Sequence, residues 1–199
     1  MTKSELRNIY LEKRRNFAAD DRVTKSHRIA GHFFENCELS AVRNLHCFIP
    51  ITKFHEIDTA FIYERIWRHF PQIQTVVPRV DLESGDIVHV VYTHLTKLVE
   101  NKWGIREPAN GDLVDAAEID LVIVPLLCFD TRGNRIGYGN GFYDRFLSKC
   151  RQDCVKIGLS YFPPVAKIVD AREHDVRLDF CVTPDLVFEF GTKKDAAEL

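Results

Sequence analysis

Apolar positions in the first forty residues recur at helical spacing in two sets, Leu6, Ile9, Tyr10 and Phe17, then Val23, Ile29, Ala30, Phe33 and Phe34. This predicts two helices, with Asp20 and Asp21 between them as cap candidates. A compact apolar run over 45–51 predicts a strand. Ile57, Phe61, Ile62, Ile66 and Trp67 then mark a helix over about 57–70, closed by Pro71. Two β-branched runs, 73–80 and 87–93, flank the Glu83-Ser84-Gly85-Asp86 turn and predict a hairpin. Residues 95–118 lack periodicity and read as a long ordered surface connection. The continuous apolar run 120–128 has the pattern of a central buried strand, with Pro125 near its end or at a bulge. A helix over 142–150 and strands over 155–161 and 179–183 follow, and the polar tail 191–199 is expected to fray.

Strands alternating with helices predict an α/β fold with parallel pairs joined by right-handed crossovers, the hairpin adding antiparallel character. With 199 residues, one domain over 1–199 accounts for the length. Hydrophobic residues at 45% and charged residues at 28% are a globular balance that excludes disorder as the main state. Lys plus Arg number 27 against 29 Asp plus Glu, a net charge of −2. That leaves no global positive excess for nucleic acid, so any anion site is local. The longest apolar stretch, 121–129, is far short of the roughly 20 residues of a spanning helix, so no membrane segment is expected. The first residues mix Lys3 and Arg7 with Glu5 and Glu12 and carry no apolar core, unlike a signal or transit peptide, and a cytoplasmic site is expected. Six cysteines with no Cys-x-x-Cys pair read as buried reduced thiols rather than a disulfide framework or zinc site.

The segment that carries chemistry is 130–145, after the buried run and before a helix. Gly137, Gly139 and Gly141 alternate there, so backbone N–H groups can approach a ligand without Cβ obstruction, and a following helix N-terminus adds further donors. Such a loop is an anion cradle. Arg135 adds a fixed positive charge for phosphate, and Asp144 is placed to hold a Mg²⁺ shared with phosphate oxygens. The bland reading is a glycine-rich turn with an acidic first-turn residue. The spacing fails both GxxxxGK[ST] and GxGxxG, so neither common nucleotide fingerprint applies. Lys3, Arg7 and Arg14 share one side of the first helix, which suits either a bound polyanion or a solvated face.

The run Arg135-Ile136-Gly137-Tyr138-Gly139-Asn140-Gly141-Phe142-Tyr143-Asp144, preceded by Val124-Pro125 and Phe129-Asp130 and joined to an N-terminal Lys-x-x-x-Arg helix, resembles the 5-formyltetrahydrofolate cyclo-ligase family. Pro78-Arg79, the segment from Trp103 to Pro108, and His174-Asp175 with Asp179 and Thr183 follow the family's order. The resemblance implies a three-layer α/β/α fold with a mainly parallel mixed central sheet. It also implies ATP- and Mg²⁺-dependent conversion of 5-formyltetrahydrofolate to 5,10-methenyltetrahydrofolate with release of ADP and phosphate. A monomer acting on small molecules is expected.

The resemblance places Lys3, Arg7, Arg135, Ile136, Gly137, Tyr138, Gly139, Asn140, Gly141, Phe142 and Tyr143 around the nucleotide, with Arg135 and Tyr143 as catalytic groups. It makes Asp144 the Mg²⁺ ligand, with Asp175 as a second candidate. On the folate side it places Ile51 and Glu56, with Tyr138 to Phe142 at the meeting point of the two substrates. Trp103 is expected either beside the nucleotide or in the core. Tyr161-Phe162-Pro163-Pro164 stands where the family often has a glutamine, and Asp170 where it often has proline; both are expected in a loop facing the site. Two alternatives stay open: a non-catalytic nucleotide- or folate-binding relative, and an ATP-dependent ligase for a different formylated small molecule.

Overall fold

In the strand Leu121–Pro125, successive side chains go to opposite layers, as the two-residue period of a strand requires. Leu121 and Ile123 join a core with Ile29, Phe33, Ile62 and Ile66, whereas Val122 and Val124 join a second core with Phe146 and Leu147. The computed structural model describes residues 1–81, 83–172 and 175–191. His174 and the tail 192–199 lie outside the described residues.

In chain order the elements are α1 (Lys3–Arg15), α2 (Ala19–Asn36), β1 (Asn44–His46), α3 (Ala60–His69), β2 (Gln74–Val80) and β3 (Ile87–Val91). There follow β4 (Leu98–Glu100), β5 (Arg106–Pro108), β6 (Leu113–Val114), β7 (Leu121–Pro125), β8 (Cys128–Phe129) and β9 (Arg135–Ile136). The last are α4 (Phe142–Leu147), β10 (Val155–Leu159), β11 (Phe180–Val182) and β12 (Val187–Glu189). The main sheet runs β12-β11-β10-β7-β1-β2-β3-β6. Its centre is parallel from β11 through β10, β7 and β1 to β2, and both edges are antiparallel. This is the expected α/β mixed sheet, with antiparallel character at both margins rather than at one hairpin. Helices α2 and α3 cover one face; the other carries the short α4 and the loops around Leu126 and Leu178.

Several expectations are corrected. Asp20 and Asp21 lie inside the first turn of α2, whose cap position is Ala18, so they complement the helix dipole without capping it. The predicted strand over 45–51 keeps ladder pairing only in β1; the chain then leaves the sheet toward a short 3₁₀ turn, Thr52–Phe54. Residues 95–118 hold the β4–β5 pair and the edge strand β6. Helix α4 ends at Leu147, short of Cys150, and β12 was not expected.

Helix α1 starts where its chemistry needs it. A capping box forms when the Thr2 hydroxyl accepts from the Glu5 N–H and the Glu5 carboxylate accepts from the Thr2 N–H at 2.8 Å. The Lys3 N–H donates to Asp170 Oδ1 at 2.7 Å, tying the helix start to the loop after β10. Leu6 and Tyr10 pack with Leu127, Cys128 and Ile136 beside the β8–β9 pair. The helix is thereby fixed against the strand that leads into the glycine loop.

Candidate functional site

A cleft of about 450 Å³ opens beyond the carboxyl end of β7, bounded by α1, the glycine loop and the chain after β1. Ligands of open α/β sheets sit at such strand ends. The residues that the resemblance assigns to nucleotide, metal and folate all line it: Lys3, Arg7, Ile51, Glu56, Arg135, Ile136, Gly137, Tyr138, Gly139, Asn140, Gly141, Phe142, Tyr143, Asp144 and Asp175.

The segment 130–145 divides in two. Its first part is structural: the buried Asp130 accepts from the Arg132, Asn134 and Ile168 backbone N–H groups and from the Asn134 side chain, locking the β8–β9 turn. Only the part from Arg135 onward faces the cleft. Gly139 has φ +100°, and a Cβ there would stand 3.3 Å from the Arg7 guanidinium carbon. Both the backbone conformation and the close approach of Arg7 therefore call for glycine. Arg7 Nε donates to the Gly137 carbonyl at 3.0 Å, so α1 and the loop hold each other.

Cations and carboxylates pair at one part of the cleft. Arg135 Nη2 meets Asp144 Oδ1 at 2.7 Å, its Nη1 donates to the Val176 carbonyl, and Lys3 Nζ meets Asp175 Oδ2 at 2.5 Å. Burial pushes the Arg135 pKa down, and the charges of Asp144 and Asp175 oppose that. Among the described residues no group of three metal-ligating side chains occurs. The two carboxylates lining the cleft, Asp144 and Asp175, nevertheless fit Mg²⁺, which takes oxygen ligands, keeps several waters and shares substrate phosphates.

At a second part, Glu56 is buried. Its Oε2 accepts from the Ile51 N–H at 2.7 Å and its Oε1 from the Tyr138 hydroxyl at 2.6 Å. Burial raises the carboxyl pKa, and these two donors oppose the rise. Phe54 stacks on Tyr138 with ring centroids 4.7 Å apart, forming an apolar wall with Phe48 and Ile49. The Tyr143 ring lines the cleft, while its hydroxyl is buried and has no hydrogen-bond partner among the described residues. Burial holds that phenol well above its ordinary pKa.

Three placements differ from expectation. Trp103 is 45% exposed at the β4–β5 turn, neither in the core nor on the cleft. Pro163 and Pro164 do not line the cleft, whereas Asp170 does, with Arg172 beside it. Arg14 is not a cleft residue like Lys3 and Arg7; it is buried behind Tyr138. Sequence reasoning also missed Phe54, Ile105, Arg106 and Glu107 as lining residues. The Arg106-Glu107 pair lay within the quoted Trp103–Pro108 segment and gave a usable signal, but Phe54 gave none.

The model of the 5-formyltetrahydrofolate cyclo-ligase family matches residues 1–184. The chain belongs to the 5-formyltetrahydrofolate cyclo-ligase family. A cyclo-ligase of Escherichia coli K12 is 30% identical over 68% of this chain and 75% of its own length. The mitochondrial cyclo-ligase of Arabidopsis thaliana is 31% identical over 76% of this chain; the match spans 61% of that longer protein. The 5,10-methenyltetrahydrofolate synthetase of Aquifex aeolicus superposes over the whole chain and 96% of its own, with TM-score 0.77 and 26% identity. Cyclo-ligase membership agrees with the resemblance carried by the glycine loop and makes the chain one of a family of ligases. Among the described residues no helix is long and apolar enough to cross a membrane.

Proposed function

We propose that this protein uses MgATP to cyclise 5-formyltetrahydrofolate to 5,10-methenyltetrahydrofolate, releasing ADP and phosphate. The observation that carries the reading is one cleft lined by the Lys3–Asp175 and Arg135–Asp144 pairs, by the glycine loop and by the buried Glu56.

The chemistry explains why both parts are needed. A formamide carbon is a poor electrophile because its nitrogen donates into the carbonyl, so the oxygen must first become a leaving group. In the proposed sequence the formyl oxygen attacks the terminal phosphorus of ATP, expelling ADP and leaving an imidate phosphate. The neighbouring amine nitrogen of the folate then attacks the formyl carbon and loses its proton, and the carbon–oxygen bond breaks with loss of phosphate. Most of the catalysis is positioning and charge neutralisation.

Lys3, Arg7 and Arg135 would bind phosphate oxygens, with loop N–H groups from Gly137 to Tyr143 completing the cradle. Asp144 and Asp175 would hold a Mg²⁺, which neutralises phosphate charge when bound. Arg135 would act on the transferring phosphoryl group. Tyr143, whose phenol stays protonated, would act as a hydrogen-bond donor and not as a base. Glu56 and the Ile51 backbone would take the pterin, whose amino and ring N–H groups suit a carboxylate, while Phe54 offers it a flat apolar face. Residues of a single chain supply both the phosphate-side and the folate-side groups, which supports action as a monomer. All six cysteines stand as free thiols, which supports the reducing cytoplasm as its location.

Substrate carrying a heavy-oxygen isotope in the formyl group tests this route. The label should appear in the released phosphate. Label retained in water or in the folate product would overturn the phosphorylation step.

A further inference from the structure

Arg14 carries a fixed positive charge, yet it is only 2% exposed and lies away from the cleft. Its Nη1 donates to the Tyr138 hydroxyl at 3.1 Å and its Nη2 to the Leu126 carbonyl, while the guanidinium lies 5.9 Å from the centre of the Tyr161 ring. The Tyr138 hydroxyl has one proton, and with Arg14 donating to its oxygen that proton is left for Glu56 Oε1, 2.6 Å away. The chain of donors thus has one direction, from Arg14 through Tyr138 to Glu56. Glu56 Oε2 is held separately by the Ile51 N–H at 2.7 Å. Each carboxylate oxygen therefore has one lone pair fixed by the protein and one left over.

We infer that Arg14 is a positioning residue for the folate pocket: it fixes the Tyr138 phenol as a donor to Glu56 and so leaves the outward lone pairs of an ionised carboxylate for the paired N–H groups of a pterin. The inference rests on the pterin-facing role proposed for Glu56. It gives the N-terminal helix two tasks, since Lys3 and Arg7 line the cleft directly while Arg14, two turns further on, acts through Tyr138.

The groups around Glu56 set the expected sign. Burial raises its pKa, whereas the Tyr138 hydroxyl, the Ile51 N–H and the Arg14 charge lower it. Tyr161 donates to the Glu56 backbone carbonyl at 3.0 Å and leaves the carboxylate alone. The Tyr143 phenol also feels the Glu56 charge, and the Arg22–His55 pair flanks the same turn. Arg14 is the buried cation in this set, so its removal leaves desolvation opposed by fewer favourable interactions.

The test is the titration of the Glu56 carboxyl, followed by carbon NMR in the ligand-free protein and assigned with Glu56→Gln. Arg14→Met should move the Glu56 midpoint up by about one pH unit, and Arg14→Lys should restore part of the change. Folate binding by Arg14→Met should weaken about tenfold, more at about pH 6 than at about pH 8, with ATP binding unchanged. If Arg14→Met does not fold, Tyr138→Phe breaks the same chain with Arg14 in place and should also raise the midpoint. An unmoved midpoint in the folded variants overturns the inference. A raised midpoint with unaltered folate binding supports the positioning by Arg14 and rejects Glu56 as the pterin ligand.

Discussion

The Arg135 guanidinium and the Asp144 carboxylate, expected to serve phosphate and metal separately, meet each other at 2.7 Å. The same Asp144 oxygen also accepts from the Val176 N–H at 3.4 Å, so this pair joins β9, α4 and the segment before β11. A nucleotide phosphate that takes Arg135 therefore competes with Asp144, and a divalent cation that takes Asp144 relieves that competition. Removing the arginine should cost the charge-assisted phosphate contact, roughly 1.5 to 3 kcal/mol. Arg135→Ala should accordingly raise the apparent ATP requirement by an order of magnitude or more in steady-state kinetics. Unchanged ATP kinetics would remove Arg135 from the phosphate site.

Asp144→Asn keeps an oxygen able to accept from Arg135 and Val176 but loses the charge a divalent cation needs. The Mg²⁺ concentration for half-maximal rate should rise, with the circular-dichroism spectrum and melting temperature little changed. A variant that unfolds would mean that the carboxylate serves mainly the first turn of α4.

Gly139→Ala places a methyl group 3.3 Å from the Arg7 guanidinium in a backbone conformation, φ +100°, that side chains rarely adopt. The strain should cost about 1 to 3 kcal/mol of stability. Displacement of Arg7 should weaken ATP more than folate. Equal losses for both substrates, measured as separate KM values, would argue that the loop is merely disordered by the change.

His46 and His89 lie on the sheet face opposite α2 and α3, with ring centroids 5.2 Å apart and both against Phe146. Both His46 ring nitrogens and His89 Nδ1 are buried without hydrogen-bond partners among the described residues. Desolvation holds His46 well below its ordinary value of 6.5 and brings His89 down to about 4. The unfolded chain then binds protons first as the pH falls, so stability is complete above about 6.5 and is lost toward about 4. His89 contributes a slope of about 1.4 kcal/mol per pH unit in that window, and His46 acts in the same direction. His89→Leu should flatten the fall in urea-denaturation stability, and an unaltered slope would contradict the assignment.

Much of this was legible wherever a pattern was long enough to carry a period. Helices α1 and α2, the β2–β3 hairpin and the buried β7 follow from spacing alone, and the alternating glycines located the loop at the strand end. Strands β4, β5 and β6 were hidden because two or three residues hold no period and their pairing is set by distant partners. Arg14 illustrates the same limit in the site. Its spacing matches Lys3 and Arg7, and only burial separates a residue that faces the cleft from one that works behind it. Asp170 was visible as an unusual residue, but its bond to the Lys3 N–H depends on a contact 167 residues apart in sequence.

The central claim is tested most directly by the absorbance of the methenyl-folate chromophore, with purified protein, MgATP and 5-formyltetrahydrofolate mixed and each omitted in turn. The account predicts absorbance that grows only when all are present, with ADP formed in equal amount. No chromophore while the protein still binds ATP, or ADP formed without folate turnover, would contradict it.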